Sequence, residues 1–242
     1  ALAVKDQIKD AKVTVITMGP PRAADIVRES IYRGADEGFV LSDRRFAGSD
    51  TVATSYALSL CVKKLGQVDM VFCGRQAIDG DTAQVGPQVA EILGFPQVTY
   101  AENLISASTE KITLTRRIEN GVETVESTTP VLVTVGSSAP KCRSRHAHRL
   151  LKYHRACSAT EAGDKLAEAE EMWKDRPSLR IVEWNADDVN PDFGRLGLAG
   201  SPTKVKNVQN VVLAHKETQQ IEPTQEALTA MMKVLSDTHI LD

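Results

Sequence analysis

The feature that most constrains the fold is an alternation of short apolar runs with helical segments along the first hundred residues. Apolar runs predict strands at 12–17, 39–41, 68–73 and 97–100. Apolar residues at helical spacing predict helices over 22–33 and 50–65, and a further helix that ends at Leu93. Strands that alternate with helices of this length form a parallel sheet covered on both faces. The sequence therefore predicts an α/β fold with a doubly wound, mainly parallel sheet.

The pattern changes after residue 100. Asn120-Gly121 between two alternating runs predicts an added hairpin, and 131–135 predicts one more buried strand. The later segments are a basic stretch at 141–155, a charged helix at 161–173, a short strand at 181–184, a Gly/Pro/Asp-rich stretch at 187–204 and a closing helix at 225–236. We expect an α/β part over 1–140 and a C-terminal arm with helices for partner contact over 141–242. Because residues 1–10 resemble the tail of a helix, we expect the first strand to be absent and the α/β part to be N-terminally incomplete.

Composition excludes several classes of protein. The 242 residues are 42% hydrophobic and 25% charged with a net charge of -3, which excludes a collagen, a disulfide scaffold and a disordered tail protein. No apolar run approaches the ~18 residues of a membrane helix, and the net charge does not favour nucleic acid as a partner. The four cysteines form no CxxC motif and no secretory signal is visible, so we expect free thiols and a cytoplasmic location.

The segment from Cys73 to Gln88 is the strongest candidate for a binding site. It follows a predicted strand and opens a helix, and ligands bind at the carboxyl ends of strands in doubly wound sheets. A helix start presents unpaired backbone N–H groups and a positive dipole end, which suit a phosphate. Asp81 and Gln84 fit a capping box, and Pro87 is compatible with a helix that begins at Gly86. A capped helix that binds no ligand is the alternative.

Residues 74–88 resemble the nucleotide loop of the electron-transfer flavoprotein beta subunit. The Gln-Ala-Ile-Asp run at 76–79 and the later Asp81, Gln84 and Gly86 all match. The resemblance extends to Met18-Gly19-Pro20, to 33–36 and to 117–134. It implies a Rossmann-like sheet and a heterodimer with an alpha subunit that carries FAD. It also implies a nucleotide in the beta subunit, which is AMP in simple electron carriers and a second FAD in electron-bifurcating members. Segments 42–51 and 79–87 are similar to the bifurcating branch.

The resemblance implies a function in electron transfer. Electrons would pass from NADH through FAD to the alpha-subunit FAD and an acyl-CoA-type or similar dehydrogenase, with ferredoxin or flavodoxin as a second acceptor. No residue is assigned a catalytic or metal-binding role. The predicted cofactor-binding residues are Met18, Asp50, Thr51, Gly74, Arg75, Gln76, Ala77, Ile78, Asp79, Gly80, Asp81, Thr82, Ala83, Gln84, Val85, Gly86, Pro87 and Gln88. The alternatives are a non-bifurcating carrier that binds AMP, a nucleotide-sensing module without a redox role, and a stand-alone NADH enzyme.

The basic stretch at 141–155 admits several interpretations. The family places its dehydrogenase recognition loop near this position, so we predict a docking surface for an acidic partner that includes Lys141, Arg143, Arg145 and Arg149. The alternatives are a solvated helix face, a nucleic-acid contact, and a zinc site built from Cys142, His146, His148, His154 and Cys157, whose spacing is unusual for zinc. The Gly- and Pro-containing segment 197–203 predicts an extended path that embraces another chain.

Overall fold

A computed structural model describes residues 1–205 and 220–237. The chain forms two compact units, Ala1–Lys204 and Val205–Asp242. The helices of the first unit are α1 (Leu2–Gln7), α2 (Ala24–Arg33), α3 (Thr51–Leu65), α4 (Val85–Leu93), α5 (Ala147–Tyr153), α6 (Ala159–Ala162) and α7 (Leu166–Asp175). Its strands are β1 (Thr14–Met18), β2 (Glu37–Leu41), β3 (Met70–Gly74), β4 (Gln97–Ala107), β5 (Lys111–Ile118), β6 (Gly121–Thr128), β7 (Val131–Val135) and β8 (Val182–Trp184).

The strands form two hydrogen-bonded sheets. The first has the order β1-β2-β8 and is parallel throughout. The second has the order β3-β7-β4-β5-β6, in which β3, β7 and β4 are parallel and β4, β5 and β6 are antiparallel. The predicted α/β fold with a mainly parallel arrangement and an added hairpin is confirmed, although the parallel strands divide between two sheets.

Local signals account for most element boundaries. Gly34 ends α2 with φ +129°, a value that glycine adopts without a steric penalty. The predicted hairpin is confirmed, since Ile118 pairs with Gly121 across the turn. Two boundaries differ from the expectation. The helix predicted over 161–173 is interrupted at Gly163, where φ is +52°. Strand β4 continues past Tyr100 to Ala107 because it gains an antiparallel partner in β5.

Residues 141–204 pack as part of the first unit. Trp173 and Leu179 join Val27 and Ile31 of α2 in one buried cluster. A second cluster includes Trp184, whose ring stacks on Phe39 with centroids 4.2 Å apart. Burying each large apolar side chain contributes roughly 1.5–3 kcal/mol. The functional division at residue 140 stays a prediction.

Residues 192–203, which we call the strap, run over the start of α3. The backbone N–H of Asp192 donates to the Tyr56 hydroxyl over 2.9 Å. At the other end, the N–H and hydroxyl of Thr203 donate to Asp50 Oδ2 over 3.0 and 2.8 Å. The strap is therefore attached to both the first and the second turn of α3.

An ion-pair cluster joins the loop after β2 to the turn after β8. Asp43 Oδ2 accepts from the Arg45 guanidinium over 2.6 Å and from the backbone N–H of Ala186 over 3.1 Å. Arg45 also donates to Asp187 Oδ2 over 2.8 Å. The hydrogen bonds from Arg45, as the largest cause, hold the pKa of the Asp43 carboxyl well below its usual range. The folded state therefore favours the ionised carboxylate.

This cluster makes stability depend on acid pH. Because the pKa of Asp43 is lowered on folding, its contribution is fully present above the unfolded pKa of about 3.9 and is lost as the pH falls below it. We expect Asp43→Asn to lower the free energy of unfolding at pH 7 by roughly 1–2 kcal/mol and to flatten its decline below pH 4. Urea denaturation from pH 7 to pH 3 measures both effects. The control is Glu170→Gln, an exposed carboxylate without a recorded ion pair in the described chain, and equal pH profiles for the two variants would refute the prediction.

The second unit contains the helix α8 (Gln225–Asp237), which confirms the closing helix. Its Leu228 and Met232 side chains are exposed, and the N–H of Leu228 donates to the Thr224 carbonyl over 3.0 Å. Positions 206–219 and 238–242 of the predicted arm lie outside the described residues. Across 1–205 and 220–237, none of the helices combines the length and hydrophobicity needed to cross a lipid bilayer.

Candidate nucleotide-binding site

The starts of α3 and α4 lie side by side beyond the carboxyl ends of the parallel strands. The Thr51 hydroxyl at the start of α3 donates to Oε1 of Gln84, which precedes α4, over 2.9 Å. The structure thus brings together Asp50, Thr51 and the residues from Gln84 to Gln88. Met18, the last residue of β1, packs against the cluster that contains Leu41 and Tyr56. No hydrogen bond joins it to 75–84 in the described chain, and its role at the site stays a prediction.

The predicted capping box at Asp81 and Gln84 is wrong. Helix α4 begins at Val85 with Gln84 as its N-cap residue, and no side chain caps it. Asp81 and Ala83 have φ values of +51° and +54°, so the chain makes a further turn between the predicted and the observed start. Sequence spacing could not reveal these left-handed conformations.

The consequence is a helix start with free donors. In the described chain, the N–H groups of Val85 and Gly86 have no recorded acceptor, since no residue caps the first turn. Pro87, in the same turn, has no N–H to satisfy. A helix N-terminus carries about half a positive charge. This start can therefore receive an anionic group.

Gly86 sets how closely α4 approaches the sheet. A Cβ atom at this position would lie 2.6 Å from Cγ2 of Thr134 on β7. The hydroxyl of Thr134 accepts from the N–H of Tyr100, which has φ +58° at the point where β4 bulges. The close contact therefore places the free N–H groups of α4 at the edge of the sheet.

Asp50 is the N-cap of α3. Its Oδ1 accepts from the N–H groups of Val52 and Ala53 over 2.9 and 3.0 Å, and its Oδ2 accepts from Thr203. Burial acts to raise the pKa of Asp50, but the hydrogen bonds from Thr203 and from the first turn of α3 outweigh it and lower that pKa. Both carboxylate oxygens are engaged within the protein, so Asp50 orients α3.

The loop from Ala77 to Thr82 is open to solvent. Ile78 is fully exposed, and a Cβ at Gly74 or Gly80 would meet no atom within 4 Å. The Gln76 amide donates to the Asp81 carboxylate, whereas Asp79 has no recorded partner in the described chain. One loop carboxylate is thus held by the protein and the other is available to a ligand.

Three of the four predicted partner-binding cations contact this chain itself. Arg143 pairs with Asp6, Arg145 pairs with Glu29 over 2.8 Å, and Arg149 donates to the carbonyls at the end of α2 and after it. Lys141 is exposed and has no recorded partner among the described residues. The docking surface stays a prediction.

Within the described ranges, no group of three or more His, Cys, Asp or Glu side chains is arranged to hold a metal ion.

Sequence reasoning missed Ser55 and the contacts of the strap. Ser55 is fully buried on α3, and its position one helical turn after Thr51 is the only signal in the sequence. The strap and α3 line an open pocket of about 250 Å³, whose walls include Val52, Tyr56 and Arg195. The Arg195 guanidinium lies 3.9 Å from the centroid of the Tyr56 ring.

Comparisons with known proteins agree on one family. The family model "Electron transfer flavoprotein domain" matches residues 1–169. The electron transfer flavoprotein subunit beta of Megasphaera elsdenii is 41% identical over 214 residues, which cover 86% of this chain and 70% of that protein. Its counterpart in Clostridium acetobutylicum is 38% identical over 241 residues, which cover 100% of this chain and 83% of that protein.

A third relative is named for a larger assembly. The caffeyl-CoA reductase-Etf complex subunit CarD of Acetobacterium woodii is 49% identical over 205 residues, which cover 85% of this chain and 69% of that protein.

Proposed function

The chain belongs to the electron transfer flavoprotein family as a beta subunit, and from that premise we propose that it holds FAD at the start of α4. We propose further that it transfers electrons from NADH towards the FAD of an alpha subunit by flavin-based electron bifurcation. When bound, FAD would supply the hydride and single-electron chemistry, and the protein would supply position and electrostatics.

The observation that carries this proposal is the uncapped start of α4. Two adjacent N–H groups, of Val85 and Gly86, have no recorded acceptor among the described residues, and they lie at the positive end of a nine-residue helix. Oriented N–H groups at a helix start bind phosphate well. The diphosphate of FAD fits this donor set, as does the phosphate of AMP.

The surrounding side chains fit a dinucleotide. The Thr51 hydroxyl holds the carbonyl end of the exposed Gln84 side chain, so its amide end can donate to a phosphate oxygen. The Asp79 carboxylate, which has no recorded partner in the described residues, would accept from a ribose hydroxyl. Half-buried Arg75 follows β3 and adds a positive charge at the same edge.

Relatives support a CoA-linked partner. One relative belongs to a caffeyl-CoA reductase-Etf complex, and another, from Anaerotignum propionicum, is named acryloyl-CoA reductase electron transfer subunit gamma. We therefore propose a heterodimer with an alpha subunit that serves an acyl-CoA-type dehydrogenase, with ferredoxin or flavodoxin as the second acceptor. The free thiols of all four cysteines support work in the cytoplasm.

Nucleotide content tests the proposal. The chain is co-expressed with its alpha subunit, the complex is denatured, and the released nucleotides are identified by mass spectrometry and counted. We expect two FAD per heterodimer. One FAD and one AMP would instead support the non-bifurcating carrier. A heterodimer with no nucleotide beyond the alpha-subunit FAD would refute the proposed site.

A further inference from the structure

We propose that Ser55 is a positioning residue that locks the starts of α3 and α4 together and thereby orients the phosphate-binding donors. This inference rests on the proposed function, because it concerns the same site. In the described chain, the Ser55 side chain forms no hydrogen bond with the loop at 75–83. It would act through the side chains and backbone of its neighbours.

The Ser55 hydroxyl faces oxygen atoms of both helices. It lies 2.6 Å from the carbonyl of Thr51 on its own helix. It also lies 2.8 Å from Oε1 of Gln88 and 3.3 Å from the carbonyl of Val85, which both belong to α4. One hydroxyl therefore joins the first turn of α3 to the first turn of α4.

Burial raises the free-energy cost of losing the Ser55 hydrogen bond. Ser55 is 0% exposed, so its hydroxyl has no access to water. A buried polar group that loses its partners costs about 1–3 kcal/mol. The hydroxyl carries one proton, which it shares between the Thr51 carbonyl and the acceptors on α4. Moving α4 away would therefore take this donor from Gln88 Oε1 and from the Val85 carbonyl.

The link between the two helices continues to the ligand-facing side chains. The Gln88 amide lies 3.5 Å from the Thr51 hydroxyl, and that hydroxyl donates to Gln84 Oε1 over 2.9 Å. The chain of contacts runs from a buried serine to an exposed glutamine beside the free N–H groups of α4. Ser55 thus holds the geometry of donors that it does not itself supply.

Ser59 provides a matched control. It lies one turn further along α3, is also 0% exposed, and its hydroxyl donates to the Ser55 carbonyl over 2.7 Å. No hydrogen bond from the Ser59 side chain to α4 is recorded in the described chain. Ser55→Ala and Ser59→Ala therefore remove the same group from the same face, and only the first breaks the link to α4.

The test measures nucleotide binding and stability separately. The heterodimer is stripped of nucleotide, and binding of FAD, AMP and adenosine is measured by titration calorimetry alongside the Tm. We expect Ser55→Ala to weaken the affinity for FAD and AMP about 10-fold and to leave the affinity for adenosine within 2-fold of the unaltered heterodimer. Ser59→Ala should leave all three within 2-fold. Gln88→Met removes the same contact from the α4 side. It should weaken the affinity for FAD and AMP as much as Ser55→Ala does, and the double variant should bind little more weakly than either single variant.

Three outcomes would overturn the inference. Equal nucleotide affinities for Ser55→Ala and Ser59→Ala would show that the hydroxyl has no positioning role. If Ser55→Ala does not fold, the double variant cannot be measured. In that case, unchanged FAD and AMP affinities for Gln88→Met would refute the link between Ser55 and α4. Failure of the unaltered heterodimer to bind FAD or AMP would refute the proposed function as well.

Discussion

Gly200→Ala is expected to release the strap from the start of α3 and to lower the free energy of unfolding by about 3 kcal/mol. A Cβ atom at this position would lie 2.0 Å from the carbonyl carbon of Arg195, and this obstacle is backbone that cannot rotate away. Overpacking a tightly packed site costs typically 1–3 kcal/mol and occasionally more. For a chain of this size we expect a decrease in Tm of roughly 6–12 °C.

Gly194→Ala is the matched control within the strap. Its Cβ would approach only Asp192 Oδ1, at 3.3 Å, and this carboxylate can shift. We expect its free energy of unfolding to stay within roughly 0.5 kcal/mol of the unaltered chain. Thermal denaturation gives the Tm, and limited proteolysis reports release of the strap. Equal stability and equal cleavage for the two variants would show that the strap does not depend on this close approach.

The second large effect is expected for Gly86→Ala. The added Cβ would lie 2.6 Å from Cγ2 of Thr134, so α4 must move away from β7. We expect a loss of roughly 1–3 kcal/mol of stability. We also expect at least a 10-fold weaker affinity for FAD, because the displaced segment carries the free N–H groups. Urea denaturation and titration calorimetry on the heterodimer measure the two effects.

A compensating change separates this clash from other causes. Thr134→Ser removes the methyl group that meets the new Cβ and keeps the hydroxyl that accepts from Tyr100. The double variant Gly86→Ala/Thr134→Ser should therefore regain most of the lost stability and affinity. A double variant as impaired as Gly86→Ala alone would contradict the proposed contact.

Much of the fold is predictable because its signals are local. Helical spacing, the Asn120-Gly121 turn and Gly34 each act within a few residues of the element that they define. The cap that Asp50 forms at the start of α3 has an equally local cause, since its carboxylate accepts from the amides two and three positions ahead. These predictions need no knowledge of tertiary contacts.

The missed features depend on distant partners. Asp50 also binds Thr203, which is 153 positions away, and Arg143 pairs with Asp6 across 137 positions. The basic stretch therefore suggests more free charge than the folded chain presents. The false capping box has a related cause, because the left-handed conformations of Asp81 and Ala83 are not encoded in their spacing.

The most direct test of the central claim is the structure of the nucleotide-bound heterodimer at a resolution that places phosphate oxygens. We predict phosphate oxygens within about 3 Å of the backbone nitrogens of Val85 and Gly86, the normal N–H···O distance, with the Gln84 amide beside them. A nucleotide bound to the beta subunit at another position, with both nitrogens contacting only solvent, would contradict this account.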